Sequence, residues 1–219
     1  DFLLDLKEAN LFPGDVVTYW ATIYDNSPEQ HKAESTRFKA RFPSIEEIYR
    51  EIETKEHEKK SELQTALEKS KDLQKEFENK RRELLKKENL QWEDKKQLEQ
   101  ILQKQENLSE QVQNIADNYQ ELINKMQANE TLSPETLQKM QKIQELMQEI
   151  NNEELQEAMR KFENALQNVK TEDLKKALEN FKFSMEDFAK KIDQTLALLE
   201  SIKKEQALQK ALQISEEME

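Results

Sequence analysis

Hydrophobic positions in this chain change period at residue 43. Before it, residues 16–24 (VVTYWATIY) are β-branched and aromatic, with turn-forming Pro13-Gly14-Asp15 ahead and Asp25-Asn26-Ser27-Pro28 behind. Residues 34–42 alternate Phe38, Ala40 and Phe42 against Arg37, Lys39 and Arg41, a second strand pattern. Residues 2–6 suit a third strand. After Pro43 the spacing becomes helical, and neither Gly nor Pro recurs until Pro134. Ser44 is the expected N-cap, with Glu47 in the capping-box position. From Ile45 a single heptad frame runs through Tyr49, Ile52, Leu63, Ala66, Ser70, Leu73, Phe77, Lys80 and Leu84. It goes on through Lys87, Gln91, Asp94, Leu98, Ile101, Gln105, Leu108, Val112, Ile115, Tyr119, Leu122 and Met126 without a skip. One frame predicts one left-handed supercoiling helix over 44–128, about 85 residues and roughly 130 Å long. Its seam is apolar from Leu98 onward. Glu56, Lys59, Lys80, Lys87, Gln91 and Asp94 interrupt it earlier, which weakens a symmetric zipper and suits a partner helix that answers those charges.

Residues 129–133 read as a turn, with Ser133 as N-cap and Pro134 in the first helical position. Three helical pieces follow. Leu137, Met140, Ile143, Met147 and Ile150 mark the first, which ends near Asn151-Asn152. Leu155, Met159, Phe162, Leu166 and Val169 mark the second, and Thr171 opens a long third through Ile202. The outgoing helix (44–128) and the return limb (134–219) match in length. The expected fold is therefore mainly α: a long antiparallel coiled-coil hairpin with a segmented return limb. The small β segment (1–43) reads as the end of a β-sandwich, since so few strands bury little alone.

Composition decides between order and disorder. Of 219 residues, 37% are charged and only 35% hydrophobic, which suits either a disordered chain or helices burying one stripe. One Gly and four Pro favour helices. A net charge of −12 argues against nucleic acid, whose phosphates require clustered Lys and Arg. There is no cysteine, hence no disulfide and no thiolate metal site. No apolar run approaches the roughly 20 residues that span a bilayer. The opening Asp1-Phe2-Leu3-Leu4 reads as mid-domain sequence, so a fragment is expected, with any membrane anchor outside it.

LFPGDVVTYWATIYDN (11–26) leading to RFPSIEEIYREI (41–52), TLSPETLQKMQKIQELMQEI (131–150) and ENFKFSMEDFAKKIDQTLALLESIKKEQAL (179–208) together resemble a known group. These are bacterial proteins grouped under a domain-of-unknown-function label. They carry N-terminal transmembrane helices, then immunoglobulin-like β modules, then extended coiled coil. The match runs in order over most of the chain, while residues 55–95 are generic coiled coil. It implies a membrane-anchored protein of the bacterial cell envelope, with this region on the periplasmic side of the inner membrane; a cytoplasmic place is the alternative. It brings no reaction and no catalytic residues.

Candidate chemistry is sparse. Glu53 and His57 share a helix face at a metal-ligand spacing, yet the return limb has no His and a solvated charged face is the favoured reading. Asp15, Asp25 and Asn26 suit a calcium site or ordinary turns, with turns favoured. No catalytic constellation, cofactor site or metal site is expected. The apolar excess falls on Phe181, Phe183, Met185, Phe188, Leu196, Leu198, Leu199 and Ile202, more than one helix face. Local three-helix packing explains it, or a surface that docks a partner. Trp92 raises the same question on a smaller scale. The expected function is a structural or protein-interaction module without catalysis, binding protein partners or itself through the coil. The alternatives are a cytosolic adaptor or holdase, and the scaffold of a larger enzyme whose active site lies elsewhere.

Overall fold

A computed structural model describes residues 12, 14–87, 91–128, 134–168 and 171–217. The expected strand at 2–6, the turn at 129–133 and the position of Val169 lie outside them. The chain divides into two compact units, Asp1–Thr54 and Lys55–Glu219.

In the first unit four short strands form two antiparallel pairs. β1 (Val16–Tyr19) pairs with β4 (Phe38–Arg41), and β2 (Thr22–Tyr24) with β3 (Lys32–Glu34). The register runs Tyr19↔Phe38 and then Thr22↔Glu34, so the returning strand carries one extra residue between the pairs. That is a bulge. Ser35 accommodates it: its N–H donates to the Ala21 carbonyl at 2.9 Å, and its Oγ accepts the Ala21 N–H at 2.9 Å. Gly14, at φ 95°, sits where a side chain would be strained, and its N–H reaches the Phe42 carbonyl at 3.0 Å. Ser44 and Glu47 exchange bonds as a capping box, Glu47 N–H to Ser44 Oγ at 3.2 Å and Ser44 N–H to Glu47 Oε2 at 2.9 Å.

Five helices follow: α1 (Ile45–Leu84), α2 (Trp92–Ala128), α3 (Pro134–Ile150), α4 (Glu153–Asn168) and α5 (Thr171–Glu217). The single helix expected over 44–128 is therefore two, and the expectation is corrected. Contacts between α1 and α2 advance along one helix as they retreat along the other: Lys80 to Asp94, Glu76 to Lys104, Lys69 to Gln111. The two helices lie antiparallel. The cause is the charged stretch of the seam. Lys80 and Lys87 both donate to Asp94 Oδ1, at 2.6 and 2.8 Å, so charges that would weaken a straight zipper pair with each other across a corner. Asp94 also accepts the Gln91 N–H at 3.1 Å, which caps α2.

α5 runs antiparallel to α1, through Arg81 to Glu179, Gln74 to the Met185 carbonyl and Lys60 to Glu200. It also runs antiparallel to α3, through Lys191 to the Glu149 carbonyl and Lys139 to Glu205. The α3–α4 limb divides at two asparagines. Asn152 Oδ1 caps α4 by accepting the Leu155 N–H at 2.9 Å, and Asn151 Oδ1 accepts the Ser109 hydroxyl of α2 at 2.7 Å. Within this unit the helices thus make a four-limbed antiparallel bundle. Its core includes Leu63, Phe77, Leu98, Ile115, Ile143, Phe162, Phe181 and Ile192.

The chain's lack of cysteine makes the corner directly testable. Nitroxide labels on cysteines introduced at Lys69 and Gln111 should lie roughly 20 Å apart, an interhelical spacing of about 8–10 Å plus label arms. One continuous helix would separate them by roughly 63 Å. A distance near the larger value in pulsed dipolar spectroscopy rules out the antiparallel pairing.

Candidate functional site

Alternation along a strand puts every second side chain on one face. In the β1–β4 pair, Val17, Tyr19, Phe38 and Ala40 share a face, and the Tyr19 and Phe38 rings stack with centroids 5.6 Å apart. The opposite face carries Val16 and Thr18 across from Arg41 and Lys39. Next along the chain, the Arg37 guanidinium lies 5.0 Å above the Trp20 ring. Beyond the bulge, Ile23 and Tyr24 extend the apolar set. Phe12, Val16, Tyr19, Trp20, Ile23, Tyr24, Phe38 and Phe42 are all exposed large hydrophobic residues. Short strands and strong β propensity form the hairpin, but nothing among the described residues of this unit covers its rings.

The turn between β2 and β3 explains Asp25. Its Oδ1 accepts the Ser27 hydroxyl at 2.6 Å, the Ser27 N–H at 3.1 Å and the His31 N–H at 2.9 Å. The Ser27 hydroxyl leads in holding the carboxyl below its ordinary value against the opposing effect of burial, with the Ser27 and His31 N–H groups adding to it. Asp15 Oδ2 accepts the Phe12 N–H at 2.8 Å. Both carboxylates serve turns. At the start of α1 the Arg41 guanidinium, 2.5 Å from Glu47 Oε1, leads in lowering the Glu47 carboxyl to about 2, assisted by the Ser44 N–H. His57 and Glu53 are each exposed, and among the described residues no three His, Asp or Glu side chains gather as a metal site requires.

Of the eight residues singled out on α5, most are interior, as local packing among helices requires. Phe181, Met185, Phe188, Leu196, Leu199 and Ile202 are buried in the bundle. α5 meets α1 on one side and the α3–α4 limb on the other, so it needs a wide apolar face. Phe77, Phe162 and Phe181 bring three limbs into one cluster. Phe162 stacks on Phe181 at 4.7 Å, and Phe77 meets their edges at 6.0 and 5.1 Å. Only Phe183, 61% exposed, and Leu198, half-buried beside Gln138, Gln141 and Lys142 of α3, face outward. Trp92 is 72% exposed with the Lys96 ammonium 5.1 Å above its ring.

Residue pattern alone does not mark the exposed hairpin rings as a site, because their alternation reads equally as the inner face of a larger sheet. Exposure was the missing information, and a single sequence does not carry it. None of the described helices is long and apolar enough to cross a membrane. No protein-family model matches the chain, and no curated protein or solved structure matches it either.

Proposed function

We propose that this chain is a structural, protein-interaction module of a bacterial envelope protein, spacing or docking protein partners with no catalysis of its own. In this reading the hairpin is the closing part of an immunoglobulin-like β-sandwich, and the antiparallel helices are the coiled-coil stalk. Membrane attachment comes from an anchor outside these residues. The observation that carries the proposal is the exposed ring set on the hairpin, from Trp20 to Phe42. An isolated two-stranded hairpin is marginal in water, and large rings left exposed on it call for a covering partner. Against that surface the bundle exteriors offer mainly ion pairs, such as Lys104 with Glu76 and Lys161 with Glu157.

A photo-cross-linking amino acid placed at Phe38 in the native bacterium tests it. The expected result is discrete protein adducts in the membrane fraction, absent when the same group replaces the exposed Asp117 of α2. Adducts only with cytosolic proteins, or identical patterns from both positions, would contradict the proposal.

A further inference from the structure

We propose that Ser70 and Gln105 form an internal water-binding site in the middle of the helical bundle. Both side chains are fully buried, at 0% exposure. Ser70 Oγ, Gln105 Nε2 and Gln105 Oε1 have no hydrogen-bond partner. A buried amide or hydroxyl without a partner loses its hydration and gains nothing back, which native cores avoid.

The helices bring the two residues into one stretch of the bundle, in adjoining layers about five residues apart along its axis. Lys69 meets Gln111 and Glu76 meets Lys104, and these two crossings bracket Ser70 on α1 and Gln105 on α2. On α5 the same stretch runs from Met185, whose carbonyl takes the Gln74 amide, to Asp193, which meets Lys71. Buried Ala189 sits in that interval, and buried Ala66 lies one turn from Ser70 on α1. Ala66 and Ala189 are the small buried side chains of this stretch, and Leu73, Ile101 and Leu102 are its buried apolar ones.

The donor set selects the guest. A primary amide presents N–H donors beside a carbonyl acceptor, and a hydroxyl does both. A cation is repelled by the N–H groups, and an anion by the carbonyl and by a chain of net charge −12. An apolar guest leaves all three atoms unanswered. Water, with two donors and two acceptors, satisfies the amide and the hydroxyl together.

Water-selective magnetisation-transfer spectroscopy on the full chain tests the site. The Gln105 side-chain amide protons are expected to give a direct cross-peak to water, and to keep it in Ser70→Ala. Absence of the peak from the native chain overturns the proposal. So does its loss in Ser70→Ala, which would trace the signal to an exchanging hydroxyl in direct contact with the amide. High-resolution crystallography of the native chain provides a reading independent of the variant. It should show a water peak about 3 Å from Ser70 Oγ and from one Gln105 amide atom. A direct Ser70–Gln105 hydrogen bond with no such peak overturns the proposal.

Discussion

Replacing Phe181 by alanine is expected to lower the stability of the helical unit by about 3–5 kcal/mol, the cost of emptying a buried aromatic position. The side chain has 0% exposure and joins α5 to α1 through Phe77 and to α4 through Phe162. Truncation removes one stacked and one edge-on ring contact at once. The site is poorly placed to collapse, because its ring neighbours belong to two other limbs. Chemical denaturation followed by circular dichroism measures the loss. Double-mutant cycles should show Phe162 and Phe181 coupled by about 0.5–1.5 kcal/mol beyond their separate effects. A loss below about 1 kcal/mol for Phe181→Ala, a value typical of peripheral sites, would mean that the cluster does not fasten the limbs together.

The second large effect is expected from Asp94→Asn. The change leaves Lys80, 9% exposed, without its nearest carboxylate. Removing one partner of a buried ion pair costs about 3–5 kcal/mol, and the low end applies because Glu83 stays 3.2 Å from Lys80. Replacing the pair together, Lys80→Met with Asp94→Leu, should recover most of the loss, since the penalty comes from the uncompensated charge.

The same corner gives the pH dependence its sign. Burial alone would raise the Asp94 carboxyl, but the Lys80 and Lys87 ammonium groups and the Gln91 N–H outweigh it and hold it below its ordinary 3.8. Glu78, hydrogen-bonded chiefly by Arg81 against a lesser effect of burial and then by Arg82, is held at about 2 rather than 4.5. Carboxyls lowered on folding bind fewer protons in the native state than in the unfolded chain. Their stabilisation is therefore fully present above the unfolded values, and is lost as pH falls from there through the folded ones. The thermal midpoint should drop progressively below about pH 4.5, and less steeply in Asp94→Asn. Equal slopes would show that Asp94 is not a source of the acid sensitivity.

Much of this architecture is legible in residue spacing. The heptad frame marks Leu63, Ala66, Ser70, Leu73 and Phe77 of α1, and Leu98, Ile101, Leu108, Val112 and Ile115 of α2, all of them buried. The frame does not reveal that the chain reverses between Leu84 and Trp92, because a register counts inward positions without regard to direction. No Gly or Pro signals that corner; an ion cluster does, and in sequence it looks like a weak seam. The apolar excess on α5 is ambiguous for a related reason. A helix between two neighbours and a helix with a free docking face require the same residues, and only the route of the other limbs decides. The hairpin bulge at Ser35 is invisible in advance, since one extra residue in a short alternating run changes no periodicity.

The two asparagines that divide the third limb also set its rotational phase. Inward positions run Met140, Ile143, Met147 and Ile150 on α3, then restart at Leu155, Met159, Phe162 and Leu166 on α4. The step from Ile150 to Leu155 is longer than a helix face allows. In an unbroken helix, turning about 100° per residue, it would swing the second set away from the core. Interrupting the helix resets the count, so the chain holds two angular settings in one limb. A change of length at Asn151-Asn152 is thus confined to a joint, whereas the same change inside α2 would rotate every later inward side chain toward water.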